Sequence, residues 1–181
     1  MRGSARIVGL VIVMLAACTG DHAAPQAAAT VVDPAAAIAV RLVVVTGCPV
    51  AQSYGATWTR LATEFGSRGV DFAVVVAEPR VDSERATTWA TTYGYGTRVA
   101  PDPSLTEAAR LGATHSPQAI VSDRQGKVVY RGRVDDAWTA LRRRRAAASE
   151  RTLENAISAA LRGESPPKAS TPVVGCLLER R

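Results

Sequence analysis

Cysteines are the residues of this 181-residue chain whose type and placement favour covalent chemistry. Cys48 follows the apolar run of residues 37–45, which is rich in β-branched side chains and long enough for a buried strand. A helical spacing of apolar residues begins at Val50, and Pro49 suits a first helical turn, where no N–H is needed. Cys48 is therefore predicted at a strand-to-helix corner, where unpaired N–H groups and the helix dipole stabilise a thiolate.

Thr46 stands two residues before Cys48, and we expect its hydroxyl to donate a hydrogen bond to the sulfur. Together with the helix start, this bond makes Cys48 the predicted nucleophile. The alternative is a buried cysteine that acts as a small hydrophobic side chain. The succession of strand, cysteine, proline and helix favours the reactive thiol.

A nucleophilic cysteine without a neighbouring thiol needs a resolving cysteine elsewhere, because thiol–disulfide exchange proceeds through a mixed disulfide. Cys176 lies in the C-terminal tail, after the Pro- and Ser-rich residues 163–172. One interpretation makes Cys176 the resolving partner of Cys48. The other makes it a free or buried tail thiol, or half of a structural disulfide. The sequence leaves both open.

The hydrophobic pattern predicts strands and helices in the order β-α-β-α-α-β-β-α. Two buried strands joined through a helix form a right-handed crossover with parallel strands, and the later hairpin adds antiparallel strands. We therefore predict an α/β fold with a central mixed sheet and helices on both faces. The predicted strands cover residues 37–45, 70–77, 118–122 and 127–131, and the predicted helices cover residues 50–65, 82–93, 104–111 and 150–162. Asp82 is predicted to cap the second of these helices, and Ser104 with Glu107 has the spacing of a capping box at the start of the third.

Several segments between residues 37 and 176 carry a family resemblance. They are CPVA at residues 48–51, EFGSRGVDF at 64–72, HSP at 115–117, VSD at 121–123, GKVVYRGRVDD at 126–136 and TPVVGC at 171–176. Together they resemble the peroxiredoxin-like subgroup of the thiol-specific antioxidant (alkyl hydroperoxide reductase) family, among the thioredoxin-like redoxins. The resemblance implies a thioredoxin-like fold in which the Ser116–Pro117 bond is cis and Pro117 forms the groove wall opposite Cys48.

The chain departs from both parent patterns. Ala51 stands where a thioredoxin has its second cysteine, and Val45 and Arg41 stand where a typical peroxiredoxin has threonine and proline.

The resemblance implies an oxidoreductase that acts on a thiol or disulfide protein or on a peroxide, and no cofactor is expected. Its predicted catalytic residues are Cys48, Cys176, Pro117 and Thr46. One alternative is a copper-binding accessory protein, similar to Sco-type copper chaperones, that uses Cys48 and His115. Another is an interaction module that keeps the fold without redox activity.

Residues 1–17 are predicted to be a signal peptide. A positively charged start precedes an apolar run over residues 7–17, which is too short for an ordinary spanning helix. The run ends in Leu-Ala-Ala directly before Cys18, which resembles the lipobox of bacterial lipoproteins. The resemblance implies cleavage at that point and lipidation of Cys18. The alternative is an ordinary secretory signal that is cut near Ala17.

The organisation that follows has three parts after the signal peptide. Residues 18–36 form a flexible tether, residues 37–165 the thioredoxin-like domain, and residues 166–181 a C-terminal tail that carries Cys176. The expected location is extracytoplasmic, with the chain anchored as a lipoprotein to a membrane of the bacterial cell envelope.

Composition narrows the class of protein further. Hydrophobic residues make up 47% of the chain and charged residues 21%, which excludes disorder throughout and a polytopic membrane protein. Aromatic residues make up only 5%, so a base-stacking surface has little support and no nucleic acid partner is expected. The formal net charge of +6 is too mild to identify a partner.

Lipidation of Cys18 is directly testable. Expressed in a bacterial host, the wild-type chain should partition with membranes, because several acyl chains anchor a protein stably. Cys18→Ala should not be processed to the same species, as mass spectrometry of the N-terminus would show. A wild-type protein that is soluble and unmodified in the periplasmic or secreted fraction contradicts the prediction.

Overall fold

The computed structural model describes residues 38–179. The predicted signal peptide and tether, including the lipidation site at Cys18, lie outside the described residues. Within residues 38–179, no helix combines the length and the apolar character that crossing a membrane requires.

Strands and helices alternate along the first half of the described chain, and short strands dominate the second half. The elements in chain order are β1 (Ile38–Val44), α1 (Pro49–Gln52), α2 (Gly55–Gly66), β2 (Val70–Val76), α3 (Ser83–Thr92), β3 (Arg98–Pro101), α4 (Thr106–Arg110), β4 (His115–Ser116), β5 (Gln118–Ser122), β6 (Val128–Gly132), β7 (Trp138–Ala140), β8 (Arg143–Arg144), α5 (Thr152–Leu161) and β9 (Cys176–Leu177).

A five-stranded sheet in the order β3-β2-β1-β5-β6 forms the centre of the fold. Strands β1, β2 and β3 are parallel, whereas β5 is antiparallel to β1 and β6 is antiparallel to β5. This confirms the predicted mixed sheet. Strand β3 was not predicted, because its four residues, RVAP, carry no buried apolar run and are recruited by pairing with β2.

Both faces of the sheet carry helices, as predicted. On one face, Val40 and Leu42 of β1 belong to a large core that includes Trp58 of α2, Trp89 of α3 and Leu153 of α5. On the opposite face, a smaller core joins the sheet to α4 and to the C-terminal tail; its buried members are Val43, Val75, Ala77, Leu105, Ala108, Leu111, Ile120 and Leu178. Strand residues alternate between these cores, as the two-residue period of a strand requires.

One helix prediction needs correction. The helix predicted over residues 50–65 is broken into α1 and α2 at Ser53 and Tyr54. Gly55 opens α2 against α3, and a Cβ there would lie 1.7 Å from the Tyr93 carbonyl oxygen, so only glycine fits.

The structure confirms the capping residue predicted for α3 but not the one predicted for α4. Asp82 caps α3, as predicted, by accepting a hydrogen bond from the Arg85 N–H at 2.9 Å. The predicted capping box of Ser104 at α4 is wrong. The carboxylate of Asp102 takes that place and accepts from the N–H groups of Thr106 at 2.9 Å and Ala108 at 2.8 Å.

The C-terminal tail is packed onto the domain at two places. At the first, the Thr171 hydroxyl accepts from the Arg133 N–H at 3.0 Å and hydrogen-bonds the Tyr130 hydroxyl at 2.9 Å. Gly132 permits this approach, because a Cβ there would lie 2.0 Å from the Thr171 hydroxyl oxygen. At the second, Leu178 is buried in the smaller core and its N–H donates to Thr114 O at 3.0 Å. The tail between them is therefore held against the domain.

Arg41 is a buried cation in the middle of β1. Its side chain is 2% exposed, and its Nη2 lies 2.7 Å from Asp71 Oδ2, while its Nη1 donates to Asp71 O at 3.0 Å. Asp71 also binds Arg98 at 2.7 Å. A buried guanidinium is tolerated only with partners such as these, since removing one leaves an uncompensated charge.

Removing the Asp71 carboxylate should therefore destabilise the fold. Asp71→Ala is expected to lower the free energy of unfolding by about 3 kcal/mol, measured by denaturant titration. The matched control is Glu64→Ala, which breaks the pair of Arg60 and Glu64, two side chains that are each 48% exposed. That loss should stay below about 1 kcal/mol. Equal losses for the two variants contradict the prediction.

Candidate active site

Cys48 lies at the strand-to-helix corner that the sequence predicts. It is the N-cap residue of α1, with extended backbone angles, and Pro49 occupies the first turn. Its carbonyl oxygen accepts the first helical hydrogen bond, from the Gln52 N–H at 3.0 Å. The side chain is 0% exposed, so its sulfur is covered by the surrounding chain.

Ser116 and Pro117 form the wall opposite Cys48. The Ser116–Pro117 peptide bond is cis, and the Cys48 thiol donates to Ser116 O with a sulfur-to-oxygen distance of 3.0 Å. The Ser116 hydroxyl also accepts from the Val45 N–H at 2.8 Å, which ties this wall to the end of β1. The predicted cis bond and its position near Cys48 are both confirmed.

Cys176 is brought to the same place by the tail. Strand β9 pairs antiparallel with β4, so that Cys176 stands opposite Ser116. Cys176 thereby stands beside the Cys48 sulfur, where its thiol and its backbone N–H lower the pKa of Cys48. Both cysteines are free thiols. Gly175 makes the approach possible, because a Cβ there would lie 2.0 Å from Ser116 O.

The two thiols differ in acidity. Burial raises the pKa of Cys48, but hydrogen bonds to its sulfur from the Cys176 thiol, the Ala51 N–H, the Cys176 N–H and Ser116 outweigh burial and lower that pKa below its ordinary value. Burial, the hydrogen bond to Cys48 and the charge of Cys48 raise the pKa of Cys176 to about 11. Cys48 is therefore the thiol that loses its proton first.

Thr46 does not act on the sulfur as expected. Its hydroxyl donates to Glu78 Oε2 at 2.6 Å, and its N–H donates to the same oxygen at 2.9 Å. Glu78 follows β2 and stands beside the end of β1 because these strands are parallel neighbours. Thr46 thus orients the corner, and the polar contact expected from it is made by Ser116.

Two aromatic residues of the site were missed in the sequence. Trp89 of α3 donates from Nε1 to Thr46 O at 2.9 Å, and it stacks on Tyr95 with ring centroids 5.1 Å apart. The Tyr95 hydroxyl donates to Ala51 O, inside α1. These bonds fix both sides of the Cys48 corner. The available signal was the presence of two aromatic residues close together in an aromatic-poor chain.

His115 takes no part in the hydrogen bonding of the Cys48 sulfur, which involves Ala51, Ser116 and Cys176. His115 Nδ1 lies 2.8 Å from the Thr114 hydroxyl, and its ring is partly exposed. Because His115 and Ser116 are consecutive in β4, their side chains point to opposite sides of the strand. Among residues 38–179, no three His, Cys, Asp or Glu side chains are grouped to hold a metal ion.

Comparison with known proteins supports the fold. No protein-family model and no curated protein matches this chain. Among solved structures, an uncharacterized conserved protein from Geobacillus kaustophilus aligns with a TM-score of 0.70 and 23% identity, over 80% of this chain and 78% of that one. A hypothetical protein from Sinorhizobium meliloti aligns with a TM-score of 0.68 and 22% identity, over 82% of each chain.

A secreted Mycobacterium tuberculosis disulfide oxidoreductase homologous to E. coli DsbE aligns with a TM-score of 0.43 and 16% identity, over 50% of this chain and 65% of that one. The TM-scores of the first two alignments, 0.70 and 0.68, support a shared fold, and their identities speak to nothing beyond the fold. With its mixed five-stranded sheet, its cysteine at the β1–α1 corner and the cis-proline beside that cysteine, this chain has a thioredoxin-like fold.

The contact between the thiols predicts linked titrations. In Cys176→Ala, Cys48 loses a hydrogen-bond donor, so its pKa should be higher than in the wild type. In Cys48→Ala, Cys176 loses the hydrogen bond and the charge that raise its pKa, so that pKa should fall from about 11. The ultraviolet absorbance of the thiolate against pH measures both changes. Single variants that titrate as the wild type does would show that the thiols are independent.

Proposed function

We propose that this protein is a thiol–disulfide oxidoreductase in which Cys48 is the nucleophile and Cys176 resolves the mixed disulfide. The observation that carries the proposal is the position of Cys176 opposite Ser116 and beside Cys48, with the lower pKa on Cys48. The second thiol comes from strand β9, whereas Ala51 occupies the place of a neighbouring second cysteine in α1. The pair is therefore assembled across the fold.

The reaction proceeds by two exchanges of sulfur for sulfur. The Cys48 thiolate attacks one sulfur of a disulfide in the substrate, which forms a mixed disulfide and releases the other substrate sulfur as a thiolate. The Cys176 thiolate then attacks the Cys48 sulfur, which forms the Cys48–Cys176 disulfide and releases the second substrate thiolate. The substrate gains two electrons and the protein loses two. The reverse sequence oxidises a dithiol substrate.

The difference in pKa between the two thiols supports this order of the two steps. While Cys48 is a thiolate, burial together with the hydrogen bond and the charge of Cys48 raises the pKa of Cys176 and keeps that thiol protonated and unable to attack. Once Cys48 is bound in the mixed disulfide, that charge is gone and the pKa of Cys176 falls. The resolving thiol thus becomes nucleophilic after the first step has occurred.

Access to Cys48 requires movement of β9. The Cys48 side chain is 0% exposed, and β9 pairs with Ser116 beside it. Strand β9 is only two residues long and its Leu177 is exposed, so its own contacts are few, and the anchors at Thr171 and Leu178 lie on either side of it. Short segments with few buried contacts open at low free-energy cost. A disulfide in a protein substrate reaches Cys48 when β9 is displaced.

The burial of Cys48 also favours a second candidate, the reduction of a small hydroperoxide, since a small molecule needs less displacement of β9. The Cys48 thiolate would attack the peroxide oxygen, which gives a sulfenic acid and releases an alcohol or water. The Cys176 thiol would then condense with the sulfenic acid to form the same disulfide and one molecule of water. Both candidates use the same two sulfurs.

We further propose that these reactions take place outside the cytoplasm, with the domain tethered to a membrane through lipidated Cys18. The support is the pattern of residues 1–18, a short apolar run after a basic start and before a cysteine. A pair of thiols that forms a disulfide also suits an oxidising compartment.

Single cysteine variants test the mechanism. With a model disulfide peptide, the wild type should end as an intramolecular disulfide. Cys176→Ser should accumulate a mixed disulfide on Cys48, because the second step is blocked, and Cys48→Ser should reduce the rate to the uncatalysed background. Mass spectrometry after acid quenching identifies each species. The matched control is Ser67→Ala, at an exposed residue after α2, which leaves both thiols and α1 unchanged and should react as the wild type does.

The same variants separate the two candidates. Cys176→Ser treated with hydroperoxide should hold a sulfenic acid on Cys48 only if the peroxide reaction operates. A Cys48 that reacts with neither the disulfide peptide nor the hydroperoxide overturns the proposed function.

A further inference from the structure

A basic hairpin projects from the domain between β6 and α5. Strands β7 and β8 form its two sides and residues 141–142 form the turn; the turn and the short strand β8 together, residues 141–144 (Leu-Arg-Arg-Arg), are here called the tip. All four tip residues are exposed, and Leu141 is 54% exposed. A large apolar side chain beside three arginines at the end of a hairpin is suited to contact with another molecule.

The charge at the tip is not neutralised by the protein. Within residues 38–179, Arg142, Arg143 and Arg144 form no ion pair, whereas Arg133 binds Glu150 at 2.7 Å and Arg151 lies 3.6 Å from Glu154. Asp136 is likewise paired with Arg145, and Asp135 accepts hydrogen bonds from the Tyr54 hydroxyl at 2.6 Å and the Ala137 N–H at 2.9 Å. The tip therefore presents three unpaired positive charges to an anionic partner.

The hairpin is held in a fixed position at its base. Asp136 accepts from the N–H groups of Ser149 at 2.7 Å and Glu150 at 2.8 Å and pairs with Arg145. The Glu150 N–H, with Ser149, holds the pKa of Asp136 well below its usual range, so the carboxylate stays charged. The Arg145 N–H donates to Ala137 O at 2.8 Å. The hairpin base is therefore a network of charge-assisted hydrogen bonds.

The same base contacts the active-site helix. Trp138 of β7 donates from Nε1 to the Ser53 hydroxyl at 3.1 Å, and Ser53 is the C-cap of α1. Cys48 caps the other end of that helix. At 1.5 Å of rise per helical residue, Ser53 lies about 8 Å from Cys48 along the axis. A single extended segment, at about 3.3 Å per residue, can contact both the tip and Cys48.

We propose that the hairpin tip, residues 141–144, is an exosite that binds an acidic segment of the protein substrate and directs the neighbouring substrate disulfide to Cys48. The inference rests on the proposed thiol–disulfide exchange and adds a substrate class, namely polypeptides in which acidic residues flank the disulfide. Leu141 supplies an apolar contact, and the three arginines supply charge-assisted hydrogen bonds to carboxylates.

An acidic polypeptide fits this surface better than an anionic membrane does. Leu141 is the only large apolar side chain exposed at the tip, so little apolar area is available for insertion among lipids. The contact of the hairpin base with α1 also joins the charged tip to the reacting sulfur, and only a substrate polypeptide carries a disulfide.

Two peptide disulfides of one sequence, flanked by glutamates or by glutamines, test the exosite with the full chain. At an ionic strength of about 0.01 M, the glutamate peptide should react about tenfold faster than the glutamine peptide, because steering by opposite charge raises association rates by at least that factor. At about 1 M the two rates should converge, since the screening length falls to about 3 Å. Stopped-flow measurement of mixed-disulfide formation gives both rates.

Paired variants locate the effect. Arg142→Gln with Arg143→Gln should remove the preference for the glutamate peptide. The control is Arg124→Gln with Lys127→Gln, which removes the same charge from two exposed residues at the β5–β6 turn, at the far end of β1 from Cys48. This control should keep the preference. A small neutral disulfide should react equally with all these proteins.

Binding is measured separately from thiol chemistry. A fluorescent glutamate peptide with serine in place of cysteine should bind the wild type, by anisotropy, and should lose binding to the hairpin variant. Equal rates and equal binding for the two peptides overturn the exosite and leave the proposed function intact. If the small disulfide fails to react while selective binding of the glutamate peptide is retained, the proposed function is overturned and the exosite stands. Binding to anionic vesicles without any peptide preference also overturns the exosite, in favour of a membrane surface.

Discussion

The site depends on one buried serine, Ser116, whose backbone and side chain join three parts of the chain. Its carbonyl oxygen accepts a hydrogen bond from the Cys48 thiol at 3.0 Å, and its hydroxyl accepts one from the Val45 N–H, after β1, at 2.8 Å. Its backbone pairs with Cys176 in the β4–β9 ladder. A buried residue that satisfies so many polar groups is costly to displace, because each would lose its partner. Ser116 therefore sets where both thiols lie.

The proximity of the two thiols gives the pair its chemical asymmetry. The Cys48 sulfur lies at the N-terminal end of α1, and hydrogen bonds to it lower its pKa despite burial. Burial and the neighbouring Cys48 raise the pKa of Cys176 to about 11. The contact that lowers the pKa of Cys48 thus also keeps the Cys176 thiol protonated. Since Cys176 comes from a short strand at the end of the chain, reactivity and access are both controlled by how firmly β9 is held.

Local sequence was informative wherever the structure depends on neighbouring residues. The strand before Cys48, the helix start at Pro49 and the cap at Asp82 are all confirmed, because hydrophobic period and capping act over a few residues. The cis bond at Pro117 followed from the resemblance carried by residues 115–117. Local signals failed where a distant group competes, as when Asp102 caps α4 in place of Ser104.

The sequence by itself determined the fold class, the corner that carries Cys48 and the two candidate interpretations of Cys176. Only the tertiary structure decided between a separate tail thiol and one in contact with Cys48, because that contact depends on burial of Thr171 and Leu178 at either side of it. The tertiary structure also decided that the Thr46 hydroxyl binds Glu78 and not the Cys48 sulfur, because the parallel pairing of β1 and β2 brings Glu78 beside Thr46. Such contacts depend on many weak packing interactions between segments that are distant in sequence, so no local sequence pattern predicts them.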